Sequence, residues 1–251
     1  LAGAWILVFA GWRTTFAILT AFGIVVGVMV IALLRESRSA DVERIARAEH
    51  PIRGYITLLG QRQLLGYILA GALNAAGVFT YIATSSRVFI GVYGTSPKTF
   101  AFLFGMNSVG LIGASQLNRI LLRYWPLDGI LKAGAMAVVV AGAAVLVSAV
   151  VGQTSVVWLV APLFLTISSA SVIQTNCLAR VLTVGKSRPG SSVALFGSAA
   201  FALGAMASTV AGLLDNGTAQ PMAAVIVACT IGCVVSLRYL ALPPTVGRAT
   251  P

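Results

Sequence analysis

Charged residues cut this chain into long apolar stretches. Uncharged runs extend over residues 14–34, 63–86, 99–118, 133–179, 189–214 and 216–237. About 20 apolar residues cross the ~30 Å hydrocarbon layer of a bilayer as a helix. Five of the runs therefore supply one helix each, and the 47-residue run between Lys132 and Arg180 supplies two. It folds back at Gly152-Gln153-Thr154-Ser155, where turn-forming residues interrupt the apolar text. The runs are far longer than barrel strands and lack sustained alternation, which makes them helices. The predicted spans are 14–34, 64–86, 99–118, 133–151, 156–179, 190–214 and 221–242. Ahead of them "LAGAWILVFAG" reads as the tail of another helix, too short to cross alone. Residue 1 is Leu, not Met. The chain is expected to be a fragment lacking its amino-terminal part; the alternative is a processed or engineered start.

Composition agrees. Only 9% of the 251 residues are charged and 58% are hydrophobic, against roughly 25% charged in an average soluble domain. A net charge of +11 would suit nucleic acid, but the distribution of the cations argues against that partner. Alternate connectors hold 14 and 3 of the 17 Lys and Arg residues. Short loops rich in Lys and Arg stay cytoplasmic. The 35–63 linker, the loops around 119–132 and 180–188, and the carboxyl terminus are therefore placed inside. Arg13, Arg87 and Lys98 fall outside. The linker is the only long polar stretch, and in it Ile52, Tyr55, Ile56 and Leu59 form an i, i+3, i+4, i+7 stripe suited to the membrane surface. His50, the only histidine, reads as an exposed loop residue.

Chemistry of the soluble-enzyme kind is missing from the text. Gly185-Lys186-Ser187 looks like the end of a phosphate loop, but Arg180 occupies the place of the first required Gly and no strand precedes it. Asn216-Gly217-Thr218 matches a glycosylation sequon, a spacing common by chance. The three cysteines lie inside apolar spans and suit packing better than a disulfide framework. Cys229 and Cys233 share a helix face, but no further ligands make a metal site there. No enzyme activity, metal or cofactor is expected.

The informative residues are the amides. The first, fourth and last spans carry no Asn or Gln, whereas the second carries Asn74, the third Asn107 and Gln116, and the fifth Gln174 and Asn176. In hydrocarbon an amide must find a partner, so these helices turn the amide faces toward protein or a watery cavity. From the second span on, the chain divides into two groups of three helices, each closing on an apolar one, as internal repeats in transporters would produce. At 100° per residue Asn107, Gly110, Ala114 and Asn118 share a stripe, with Gln116 roughly opposite Asn107. Asn74, Gly77, Val78, Tyr81 and Ser85 make another, and Ser168, Ser171 and Thr175 a third. The sixth span aligns Gly197, Gly204, Ser208 and Gly212, a small-residue seam for close helix packing. Whether the amides glue helices together or line a cavity stays open at this level. Arg87, after "YIATSS", either snorkels to the interface or serves as an outer gate. No Asp or Glu lies inside a span.

Several blocks resemble a known family. "AWILVFAGWRTTFAILTAFG" resembles the junction of the fifth and sixth helices of major facilitator drug transporters. "LLGYILAGALNAAGVFTYIATSS", "VYGTSP" and "FLFGMNSVGLIGASQLNRILLR" resemble the seventh and eighth helices of the Bcr/CflA drug-resistance group. Asn176 and "PGSSVALFGSAAFALGA" are similar to its tenth and eleventh. The resemblance implies an all-α integral membrane protein of the major facilitator fold: the end of helix five plus helices six to twelve of a twelve-helix transporter. Residues 1–34 would then end the amino-terminal half, 35–63 form the cytoplasmic linker, 64–242 the carboxyl-terminal six-helix half, and 243–251 a cytoplasmic tail.

The same resemblance implies activity. Members of the group expel bicyclomycin, chloramphenicol, sulfonamides and other small compounds across the bacterial inner membrane in exchange for protons. The implied partners are a small drug-like substrate, the lipid bilayer and the missing amino-terminal half of the same chain, with the proton gradient as driving force and the full-length protein monomeric. Helices seven, eight, ten and eleven of the group line its cavity, which points to Asn74, Tyr81, Asn107, Gln174, Asn176 and Phe201 as cavity contacts. Two departures stand out. Ser86-Arg87-Val88 replaces the usual Ser-Pro-Phe, and Arg35-Glu36-Ser37 replaces Pro-Glu-Thr or Lys-Glu-Thr. The group's coupling acids belong to the missing half. Rival readings are a metabolite exporter or permease on the same fold, or a seven-helix receptor or sensor.

Overall fold

The computed structural model describes residues 2–33, 51–151 and 155–241, with the side chains of 2–10, 12 and 51–53 left aside. The charged part of the linker with His50 and Arg35-Glu36-Ser37, the turn residues 152–154, and the 243–251 tail lie outside the described residues. Two compact units are present, Leu1–His50 and Pro51–Pro251. Seven described helices are long and apolar enough to cross a membrane.

The first unit holds α1 (Ala2–Leu33), interrupted at Gly11, whose φ of 72° and ψ of 171° are not helical. That left-handed φ is open to glycine and strained for other residues. Gly11 therefore separates the short leading segment from a membrane-length helix over Arg13–Leu33.

The second unit begins with α2 (Pro51–Leu59), inside the stretch read as linker. Gly54 and Leu58 are buried, whereas Ile56 and Leu59 of the predicted surface stripe are exposed and Tyr55 is half-buried. A Cβ at Gly54 would come within 2.9 Å of the Arg188 guanidinium, so the small residue lets α2 lie close to the start of a later helix. Next comes α3 (Arg62–Ser86), which does not stop at the predicted end but continues as a π-helical turn over Arg87–Val92. Gly94, at φ 65°, ends it. Helix α4 (Pro97–Leu121) starts on Ser96, whose side chain accepts from the Thr99 amide, with Pro97 at the first turn where its missing N–H is harmless. Then follow α5 (Leu127–Val151), α6 (Val157–Val184), α7 (Pro189–Leu213) and α8 (Gln220–Ser236), the last running into a π turn over Leu237–Ala241.

Lipid is as apolar as leucine, so burial of apolar surface drives little helix association here; close packing and polar contacts must do it. Helix α3 is the centre, packed on α6, α7 and α8. Gly71 shows how: a Cβ there would run into the Phe196 ring of α7 and touch Cys177 of α6. Cys229 of α8 sits beside Gly77 in the same way. All three thiols are buried as packing groups, and no group of three or more possible metal ligands exists among the described residues. The main contacts obey an exchange rule. Helix α3 packs on α7 and α8 as α6 packs on α4 and α5, while α3 meets α6 and α5 meets α8. Two three-helix repeats, α3–α5 and α6–α8, account for this pattern.

A polar seam between three helices

Helix α4 buries little of itself. Its buried residues are Asn107, Gly110 and Asn118, the stripe that 100° per residue selects. The Asn107 amide nitrogen donates to the Tyr81 hydroxyl on α3 at 2.6 Å. About three turns further on, Asn118 accepts from Asn176 of α6 at 2.7 Å, and the Asn176 amide also donates to the Val172 carbonyl at 2.9 Å. Between the two, a Cβ at Gly110 would collide with Ser168 and Phe164 of α6, so glycine is what lets the backbones close. Asn74 completes the seam on α3. It donates to the Ala170 carbonyl at 2.9 Å and faces the Gln174 side-chain oxygen at a long 3.4 Å.

The amides thus join helices, through the nitrogens of Asn74, Asn107 and Asn176 and the oxygen of Asn118. Asn74 Oδ1, Asn176 Oδ1 and Ser168 Oγ are buried without a hydrogen-bond partner among the described residues. In a low-dielectric interior an unpaired polar atom is costly, and such atoms concentrate where function keeps them. The seam is held but not saturated.

The other predicted residues fall apart from it. Gln174 is half-buried at its edge and Gln116 is exposed. Phe201 on α7 is 69% exposed and makes a tilted aromatic pair with Phe79 of α3, ring centroids 5.4 Å apart. Of the small-residue line on α7, Gly204 is buried where a Cβ would meet the Phe79 ring, but space around Gly197 and Gly212 is open and Ser208 is half-buried. Crossing helices approach closely over a short stretch only. The buried line of α7 is instead Ser192, Phe196, Ala200, Gly204 and Ala211.

Ion pairs cap the two ends of the half. Arg87 pairs with Asp215 in the α7–α8 turn. At the opposite end Arg180 Nε donates to Asp128 Oδ1 at 2.9 Å, joining α6 to the first turn of α5. The Asp128 pair is not legible from spacing, because the partners are 52 residues apart; their only signal is opposite charge at neighbouring helix ends. Gly185-Lys186-Ser187 is a plain turn after α6, and Asn216 uses its oxygen to accept from the Thr218 amide and hydroxyl, a local turn.

Comparison with known proteins adds to this geometry. A family model described as Major Facilitator Superfamily matches residues 1–209. The chain is 25% identical over 238 residues to the Bicyclomycin resistance protein homolog of Haemophilus influenzae, covering 95% of this chain and 60% of that protein. It is 26% identical over 241 residues to an uncharacterized MFS-type transporter of Bacillus subtilis, covering 94% of this chain and 58% of that one. The chain spans about 60% of the length of these relatives.

Proposed function

Because the chain belongs to the Major Facilitator Superfamily, we propose that the complete protein is a proton-coupled exporter of small drug-like compounds, working by alternating access in the bacterial inner membrane. The observation that carries this reading is the likeness, over 95% of the chain, to a protein named for bicyclomycin resistance. The Arg87 end of α3 is then the outer end and the carboxyl terminus is cytoplasmic, as the cation distribution favours. The chain supplies one wall of the path, and the two halves rock about a midplane site.

Within that reading the roles divide by exposure. Gln174 and Phe201, the two candidates that are not buried, face cargo, with recognition resting on broad apolar surface and few fixed hydrogen bonds. Asn74, Tyr81, Asn107 and Asn176 set the helix arrangement around them. The spare oxygens of Asn74 and Asn176 support a second arrangement, since a helix that shifts along the seam meets acceptors already in place. The coupling acids lie in the other half.

The test is drug efflux by the full-length protein in susceptible bacteria, with Gln174→Ala, Phe201→Ala and Asn74→Ala at unchanged expression. Each variant should lower efflux of at least one compound and shift the ranking among compounds. Transport unchanged across a panel of structurally unrelated drugs in all three variants would remove these assignments. Absence of any efflux by the unmodified full-length protein would remove the export reading itself.

A further inference from the structure

We propose that Arg87 is a positioning residue: its ion pair with Asp215 latches the outer end of α3 to the α7–α8 turn and so fixes the outer half of α4, including the Tyr81–Asn107 hydrogen bond. Asp215 is built to receive it. One carboxylate oxygen accepts from the Gly217 amide at 3.0 Å, and Gly217 takes the left-handed φ of 77° that this tight turn needs. The second oxygen is left to point at the Arg87 guanidinium. The carboxylate is therefore held by its own turn before the arginine arrives.

Arg87 opens the π turn of α3, and that turn carries the constraint inward. Val88 and Phe89, directly after it, are buried while Arg87 itself is exposed. The Phe89 carbonyl takes both the amide and the hydroxyl of Thr95, at 3.0 and 2.7 Å, which pins the entry into α4. From Phe89 an aromatic file descends: Phe89 to Phe100 with centroids 6.0 Å apart, Phe100 to Phe104 at 5.7 Å, and Phe104 stacked on Tyr81 at 5.6 Å. Tyr81 then holds Asn107. Every link from Asp215 to the midmembrane amide is a direct contact. Few other buried residues hold α4, so its outer half follows this file.

The pair is also exposed enough to open. An ion pair in contact with water is weak and is screened by salt, so it acts as a catch, not a permanent brace. Its side chains are 67% and 19% exposed, which leaves the arginine within reach of external ions.

The experiment measures a distance and does not depend on transport. Spin labels are placed at K98C and V157C, the outer starts of α4 and α6, in the full-length protein in lipid nanodiscs with the three native cysteines replaced. The expected result is a broader, longer distance distribution in R87Q and in D215N, no further broadening in R87Q/D215N, and the same broadening of the unmodified protein by salt on the order of 1 M. R87Q should not respond to that salt. The proposal is overturned if the neutral variants match the unmodified protein, if the double variant broadens clearly beyond either single one, or if salt moves R87Q equally. R180Q, at the far end, should leave the distance unchanged; broadening there would mean general loosening and would also overturn it.

Discussion

Helices α3 and α4 are both of membrane length, yet they are held in opposite ways. Helix α3 buries more than half its residues, mostly alanine, glycine and aliphatic side chains, against three neighbours. Helix α4 buries two amides and a glycine. Where lipid removes the hydrophobic incentive to associate, the first is fixed by many close contacts and the second by a few directional bonds. Shape complementarity gives α3 one position. Two interhelical hydrogen bonds give α4 a preferred position that can be left at modest cost.

This contrast is open to attack from its strong side first. Gly71→Leu places a branched side chain where the Phe196 ring already sits, and overpacking of this kind costs about 1–3 kcal/mol or rearranges the helices. Thermal unfolding of the full-length protein in detergent should show the largest fall for this variant. Next is Asn176→Leu, which removes the bond to Asn118; interhelical hydrogen bonds in membranes are worth about 0.6 to 2 kcal/mol. Its effect should appear as faster amide exchange in α4 with little change in α3; equal change in both helices would erase the distinction drawn here. The smallest effect belongs to Gly197→Ala and Gly212→Ala, which have open space around them and should shift stability by no more than about 0.5 kcal/mol. Gly204→Ala, against Phe79, should cost clearly more than either.

Much of the fold was legible in the sequence because the bilayer imposes it. Uncharged runs had to be spans, and each of the seven described helices overlaps a predicted one, although α3 and α6 run past their predicted ends and α5 starts ahead of its predicted start. Helix α3 runs on because Arg87 lies exposed on its surface, where a charge does not end a helix. In space its carboxylate partner lies 128 residues away, and the helix continues past it as a π turn. The amide stripe of α4 was legible because helical periodicity alone selects Asn107, Gly110 and Asn118. Which groups those amides meet was not, since Tyr81 and Asn176 come from other helices whose rotation is set by packing. The small residues of α7 were misleading for a related reason: composition says a helix can be approached closely, while the crossing point decides where. In the stretch read as linker, Gly54 and Leu58 of α2 are buried, which the charges around them do not foretell.

The exchange rule makes α3 the counterpart of α6, α4 of α7 and α5 of α8. Consecutive spans run in opposite directions, so each triplet is the upside-down counterpart of the other. Each main packing contact that one triplet makes with the other therefore has a twin built from the corresponding helices.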